Sequence, residues 1–110
     1  MSERMKNISK AEVLKLKDMV EYRSGEVVSR TLAQSDAVSV TLFAFSEGEE
    51  ISTHESGGDA MVTCLDGTGR ITIDGKEYFL SERESIVMPA KHPHAVYGEK
   101  DFKMLLVVVF

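Results

Sequence analysis

Three features of the 110-residue sequence predict an all-β fold. After Gly25 the chain divides into about eight short runs that are rich in Val, Ile, Thr, Phe and Tyr and are separated by turn residues. One pair of runs is joined by Asp74-Gly75, which is a two-residue hairpin signal. No repeated helical pattern separates the runs. Together these features predict a β-sandwich or a β-barrel.

The segment before the strands allows two structures. Residues Ser9 to Glu12 have the S-x-x-E form of a helix capping box, and apolar residues follow it, which favours a short N-terminal helix. Residues 13–20 ("VLKLKDMV") also alternate imperfectly, which favours an extended arm. Both alternatives stay open for an N-terminal segment that covers residues 1–25.

The strands follow in order. The predicted strands are "EVVSRTL" (26–32), "AVSVTLFAF" (37–45), the two arms of "RITIDGKEYFL" (70–80), "SIVMP" (85–89) and "KMLLVVVF" (103–110). The Asp74-Gly75 turn predicts that Ile73 pairs with Lys76 and that Ile71 pairs with Tyr78. One face of the hairpin would then be apolar, because it would carry Ile71, Ile73, Tyr78 and Leu80.

Composition excludes several classes of protein. Thirteen basic and eighteen acidic residues give a net charge of −5, so neither nucleic acid nor an anionic membrane is an expected partner. The longest apolar run is the seven residues Met104 to Phe110, whereas a membrane-spanning helix needs about 20. The N-terminus lacks the pattern of a secretory signal, and Cys64 is the single cysteine. We therefore expect one globular, cytoplasmic domain.

Two spaced motifs carry a resemblance to a known family. The first motif has the spacing G-x5-H-x-H-x3-E-x6-G, which is filled here by Gly48, His54, Ser56, Ala60 and Gly67. The second has the spacing G-x5-P-x-G-x2-H-x3-N, which is filled here by Arg83, Pro89, Lys91, His94 and Gly98. With a hairpin in the gap between them, the two motifs resemble those of the cupin superfamily over residues 26–110.

The resemblance implies a fold and a place for the site. Cupins form a double-stranded β-helix, a jelly-roll barrel of two antiparallel sheets, which is often dimeric and has a pocket at its open end. The chain would be a single cupin domain over residues 1–110, with the arm at 1–25 and the barrel at 26–110. In metal-dependent members, the two histidines and the glutamate of the first motif and the histidine of the second hold a divalent metal.

The motif is degenerate at its ligands. Only His54 and His94 remain as candidate metal ligands, because Ser56 is a weak neutral ligand and Ala60 supplies none. By strand alternation, Asp59 and Glu55 should both point away from the pocket. The other departures, Arg83 and Lys91 in place of Gly and Gly98 in place of Asn, fall at expected turns.

The predicted pocket combines polar and apolar side chains. Cys64 shares the inward face of its strand with Ala60. It could act there as a metal ligand or a thiolate, but a lone strand cysteine is more often a small buried apolar residue. His92 should lie at the rim, because Pro93 restricts it to extended geometry. The candidate ligand-binding residues are His54, Ser56, Ala60, Val62, Cys64, Ile71, Ile73, Met88, His92 and His94.

Three functions are compatible with these residues. The first is a barrel that binds a small organic ligand in a metal-poor or metal-free pocket. The second is a metal-dependent dioxygenase or isomerase that completes the coordination of iron, manganese, nickel or zinc with Asp59, Glu55, Cys64, His92 or water. The third is a dimeric interaction module. A homodimer is expected because Phe43 and Phe45, opposite Val40 and Leu42 on their strand, would lie outside the barrel.

Overall fold

Nine strands and one short turn of helix make up the fold over residues 4–110. The structure, a computed structural model, describes residues 4–110. A 3₁₀ turn at Leu16–Met19 precedes the strands β1 (Val27–Gln34), β2 (Val38–Phe45), β3 (Glu50–His54), β4 (Asp59–Asp66), β5 (Gly69–Ile73), β6 (Lys76–Leu80), β7 (Ser85–Met88), β8 (His94–Gly98) and β9 (Phe102–Val109). No helix within the described residues is long and apolar enough to cross a membrane.

The strands form two antiparallel sheets that enclose one core. The larger sheet has the order β1-β2-β9-β4-β7, and the smaller has the order β3-β8-β5-β6. The apolar side chains of the two sheets meet in a core that includes Phe45, Val62, Ile71, Val96 and Phe102. The prediction of an all-β jelly-roll barrel is confirmed.

The hairpin between β5 and β6 forms in the predicted register. Ile73 pairs with Lys76, and Ile71 pairs with Tyr78. Asp74 and Gly75 have φ angles of 51° and 80°, so both central residues of the turn adopt the positive φ that a two-residue hairpin loop of this kind requires. The side chains of Ile71 and Ile73 are buried, as the alternation predicts.

The N-terminal segment is an arm and not a helix. The capping-box residues Ser9 to Glu12 are irregular, and the 3₁₀ turn is the one helical element of the segment within the described residues. The arm packs on the outer face of the larger sheet, where Val20 joins Leu32, Leu42 and Ala44 in a second apolar cluster. Burying apolar side chains in this cluster outweighs the weak tendency of so short a segment to form an isolated helix.

The prediction that Phe43 and Phe45 lie outside the barrel is wrong. Phe45 is 0% exposed, and its ring packs 5.6 Å from that of Phe102 in the core. Both faces of β2 are apolar, so the sequence alone does not show which face is inward. The arm covers the Leu42 face, and the phenylalanine face therefore lines the interior.

At two positions where the cupin motif has glycine, this chain has another residue in a left-handed conformation. Arg83 and Lys91 have φ angles of 73° and 66°, in the left-handed region that glycine adopts at low cost. A left-handed conformation at these two turns explains why the cupin motif has glycine at both positions. Gly98 is closely packed, because a Cβ there would lie 3.1 Å from the Lys100 carbonyl oxygen and 3.2 Å from Cβ of Phe45, so these neighbours would have to shift slightly.

Candidate functional site

Two neighbouring strands bring the motif histidines together. His54 ends β3, His94 begins β8, and the two are paired across the strands. Their rings are edge-to-face with centroids 4.4 Å apart, and the two Nε2 atoms are separated by 3.2 Å. The backbone N–H of Lys91 donates to the Ser56 carbonyl at 2.9 Å, which ties together the two loops that deliver the histidines.

Hydrogen bonds to the backbone determine the tautomer of each ring. Nδ1 of His54 lies 2.9 Å from the Ser52 carbonyl oxygen, and Nδ1 of His94 lies 3.1 Å from the His92 carbonyl oxygen. A carbonyl oxygen only accepts, so both Nδ1 atoms carry the proton and donate. In the neutral rings, both Nε2 atoms therefore carry lone pairs, and neither can donate to the other.

Burial keeps the inner histidine neutral. His94 is 2% exposed, whereas His54 is exposed at the end of its strand. Burial lowers the pKa of His94 below its ordinary value, and the nearby His54 lowers it further. The hydrogen bond to the His92 carbonyl and the negative charge of Glu55 act in the opposite direction. The lowered pKa favours the neutral His94 ring, whose Nε2 atom carries a free lone pair, near neutral pH.

A cavity of about 240 Å³ lies beside the histidine pair. Its wall is mostly apolar, and its polar side chains gather at the end where His54 and Glu55 reach solvent. The lining residues are Phe43, Ile51, His54, Glu55, Ser56, Ala60, Met88, His94, Val96, Met104, Leu106 and Val108.

The structure brings half of the sequence-predicted pocket residues to this cavity. His54, Ser56, Ala60, Met88 and His94 line it. The remaining residues of β4 and β5 that were assigned to the pocket are buried in the core instead, since their strands continue past the cavity between the sheets: Val62, Cys64, Ile71 and Ile73.

Cys64 and His92 lie away from the cavity. The Cys64 thiol is within 3.5 Å of the carbonyl oxygens of Asp66 and Gly67, and burial raises its pKa to about 11, so it remains a thiol. The His92 side chain is half-exposed, and its Nδ1 lies 2.6 Å from an Asp74 carboxylate oxygen. His92 contributes to the site through its backbone carbonyl, which accepts the hydrogen bond from His94.

The prediction that Glu55 points away from the pocket is wrong. Alternation from His54 would point its side chain away, but β3 ends at His54, and Glu55 lines the cavity. Asp59 is outward as expected, and its carboxylate accepts from the Ala90 N–H at 2.8 Å. The apolar wall from β9 was also missed, although the spacing of Met104, Leu106 and Val108 at every second residue is the signal of one strand face.

The donor set does not fit a tightly held resident metal. Two Nε2 atoms 3.2 Å apart would subtend roughly 100° at an ion about 2.0–2.1 Å from each, and Nδ1–H bonds to carbonyls orient metal-binding imidazoles in this way. Ala60, however, leaves the glutamate position without an oxygen. Among residues 4–110, no group of three or more His, Cys, Asp or Glu side chains is placed to hold an ion.

The fold and the site define a class of protein. It is a small jelly-roll barrel with a mostly apolar cavity between its two sheets, and two histidines line that cavity. Residues 41–110, more than half of the chain, match the family model described as "Cupin domain". The chain belongs to the cupin family.

Solved structures agree with this assignment. A conserved protein of unknown function from Streptococcus pyogenes is 45% identical with a TM-score of 0.95, over 98% of this chain and 95% of that one. A cupin superfamily protein from Desulfitobacterium hafniense is 36% identical with a TM-score of 0.93, over 98% and 99%. A cupin 2 conserved barrel domain protein from Leptotrichia buccalis is 42% identical with a TM-score of 0.86, over 88% and 47%. No curated protein matches the sequence.

Proposed function

We propose that this cupin binds a small organic ligand in the cavity beside His54 and His94, without a resident metal. One observation carries the proposal: the cavity is lined mostly by apolar side chains, with its polar residues grouped around the histidine pair. Small-molecule sites have this form, in which the apolar wall supplies affinity and a few polar atoms fix orientation. The proposed setting is the cytoplasm.

The ligand-binding proposal is tested by filling the cavity. Ala60 is buried and lines the wall, so Ala60→Leu should occupy space that a ligand needs. Chemical shifts of the cavity methyl groups should respond to added toluene in the parent and should not respond in this variant. Ala95→Leu is the matched control, because Ala95 lies on β8 outside the cavity lining and should leave binding unchanged. A folded Ala60→Leu protein that binds toluene as the parent does would contradict the proposal.

A metal-dependent enzyme is the second candidate. The observation that favours it is Glu55, which lines the same cavity as the two histidines and whose negative charge acts on His94. Two imidazoles and one carboxylate are the smallest common ligand set of catalytic iron sites. This candidate requires Glu55 to move into coordination with both histidines. The metal content of the purified protein decides between the two candidates.

We also propose that the chain forms a homodimer. The outer apolar patch consists of Met61, Val87, Val107 and Val109, which lie on neighbouring strands of the larger sheet. Met61, Val87 and Val109 are 40%, 53% and 59% exposed. Leu105, on the same face of β9, packs with the cluster under the arm, so the patch continues an apolar face that the arm only partly covers. A second copy would bury the remainder.

A further inference from the structure

The polar end of the cavity presents acceptors and negative charge. The two Nε2 lone pairs and the Glu55 carboxylate accept hydrogen bonds, and Glu55 carries a charge. The Ser56 hydroxyl already accepts from the Gly58 N–H at 3.2 Å. No lysine or arginine of residues 4–110 is among the lining residues. An anionic ligand would therefore meet the like charge of Glu55 and two Nε2 acceptors, with the Ser56 hydroxyl still able to donate.

The histidine pair lacks a donor. Both Nδ1 protons are committed to backbone carbonyls, and the Nε2 atoms lie 3.2 Å apart without a proton of their own in the neutral pair. Two acceptors held this close are stabilised by a group that donates to both of them. His94 is almost fully buried, so water can reach it only from the cavity side. A ligand with several N–H donors supplies what the pair lacks.

The size of the cavity limits the ligand. An apolar cavity of about 150 Å³ is sufficient to hold benzene. The volume of about 240 Å³ therefore accepts a ring or a branched chain of similar size together with one small head group. The apolar wall, which includes Phe43, Met104 and Leu106, would surround the hydrocarbon part. The head group would then lie at the histidine end.

We propose that the cavity selects a compact apolar primary amine, bound as its ammonium ion between His54, His94 and Glu55. The three N–H donors of an ammonium group match two Nε2 acceptors and one carboxylate. The ion pair with Glu55 adds attraction that an alcohol of the same shape does not receive. This assignment rests on the small-molecule function proposed above and names the class of ligand for the same site.

Four probes of one shape test the assignment by calorimetry near neutral pH: benzylamine, benzyl alcohol, benzoate and toluene. Benzylamine is protonated there, as lysine side chains are. It should bind about tenfold tighter than benzyl alcohol, which corresponds to about 1.4 kcal/mol. Benzoate should bind more weakly than either, because its charge has the same sign as that of Glu55.

A charge-removing variant tests the role of Glu55. Glu55→Gln should weaken benzylamine binding about tenfold and leave benzyl alcohol within about twofold, since only the ammonium loses an ion pair. Glu50→Gln is the matched control, because Glu50 lies at the other end of β3, is exposed, and is absent from the cavity lining. It changes the net charge equally and should change neither affinity.

The outcomes separate two failures. Benzyl alcohol or benzoate binding as tightly as benzylamine would overturn the amine assignment and leave the small-molecule function intact. An equal loss of benzylamine affinity in both glutamine variants would also overturn it, because the attraction would then come from the overall charge. If none of the four probes binds, toluene included, the proposed function itself fails.

Discussion

The chemistry of the pocket depends, at the scale of single residues, on two backbone carbonyls. The Ser52 carbonyl accepts a hydrogen bond from Nδ1 of His54, and the His92 carbonyl accepts one from Nδ1 of His94. Each bond leaves the Nε2 lone pair of its ring directed toward the cavity. His54 is exposed and His94 is buried, so the two rings differ in their environment although they are alike in their hydrogen bonds. Burial lowers the pKa of His94 below its ordinary value.

Acid should destabilise the protein through His94. Because its pKa is lowered in the folded state, the unfolded chain binds a proton more readily, and the free energy of unfolding falls as the pH drops. The stabilisation is complete above the unfolded pKa of about 6.5 and is lost as the pH falls through the folded value. A titration of the His94 ring signals by NMR should give a midpoint below the ordinary value. A midpoint at or above that value would contradict this account of the site.

At the scale of secondary-structure elements, the turns carry the strain. Lys91, in the loop that delivers His94, has a φ angle of 66°, which costs a non-glycine residue about 1–2 kcal/mol. Glycine costs about 0.5–1 kcal/mol more than alanine to order on folding. Lys91→Gly should therefore raise the free energy of unfolding by up to about 1.5 kcal/mol, as measured by urea denaturation.

A lysine in an ordinary conformation provides the control for that change. Lys100 is exposed and is not among the residues with positive φ, so Lys100→Gly should lower the free energy of unfolding slightly. If both variants were destabilised alike, the left-handed conformation of Lys91 would not be a source of strain.

The elements also show what the sequence could predict. The hairpin at Asp74-Gly75 was predictable because turn chemistry and alternation are local, and the meeting of His54 and His94 was implied by the resemblance of the two motifs to those of cupins. The inward face of β2 was not predictable, since both of its faces are apolar and the arm decides between them. The position of Glu55 was not predictable either, because alternation does not show where a strand ends. The capping box at residues 9–12 did not lead to a helix, because packing of the arm on the larger sheet outweighed this local signal.

At the scale of the whole molecule, the proposed dimer uses the outer apolar patch. Light scattering should give twice the chain mass at micromolar concentration, and Val87→Lys should shift the mass toward the monomer, because a charge would be buried in the interface. Phe79→Lys is the control, since Phe79 is equally exposed but lies on the smaller sheet. A parent protein of monomer mass would contradict the dimer.

The cavity is proposed to bind its ligand without a resident metal. The donor set of His54 and His94 lacks the carboxylate that Ala60 has replaced, and two imidazoles alone hold divalent ions weakly. Metal analysis of protein purified without chelator tests this claim most directly. We expect well under one transition-metal ion per chain, with the same low content in a His54→Ala variant. Near-unit occupancy by a single metal in the parent, lost in His54→Ala, would contradict the account and favour the metal-dependent enzyme.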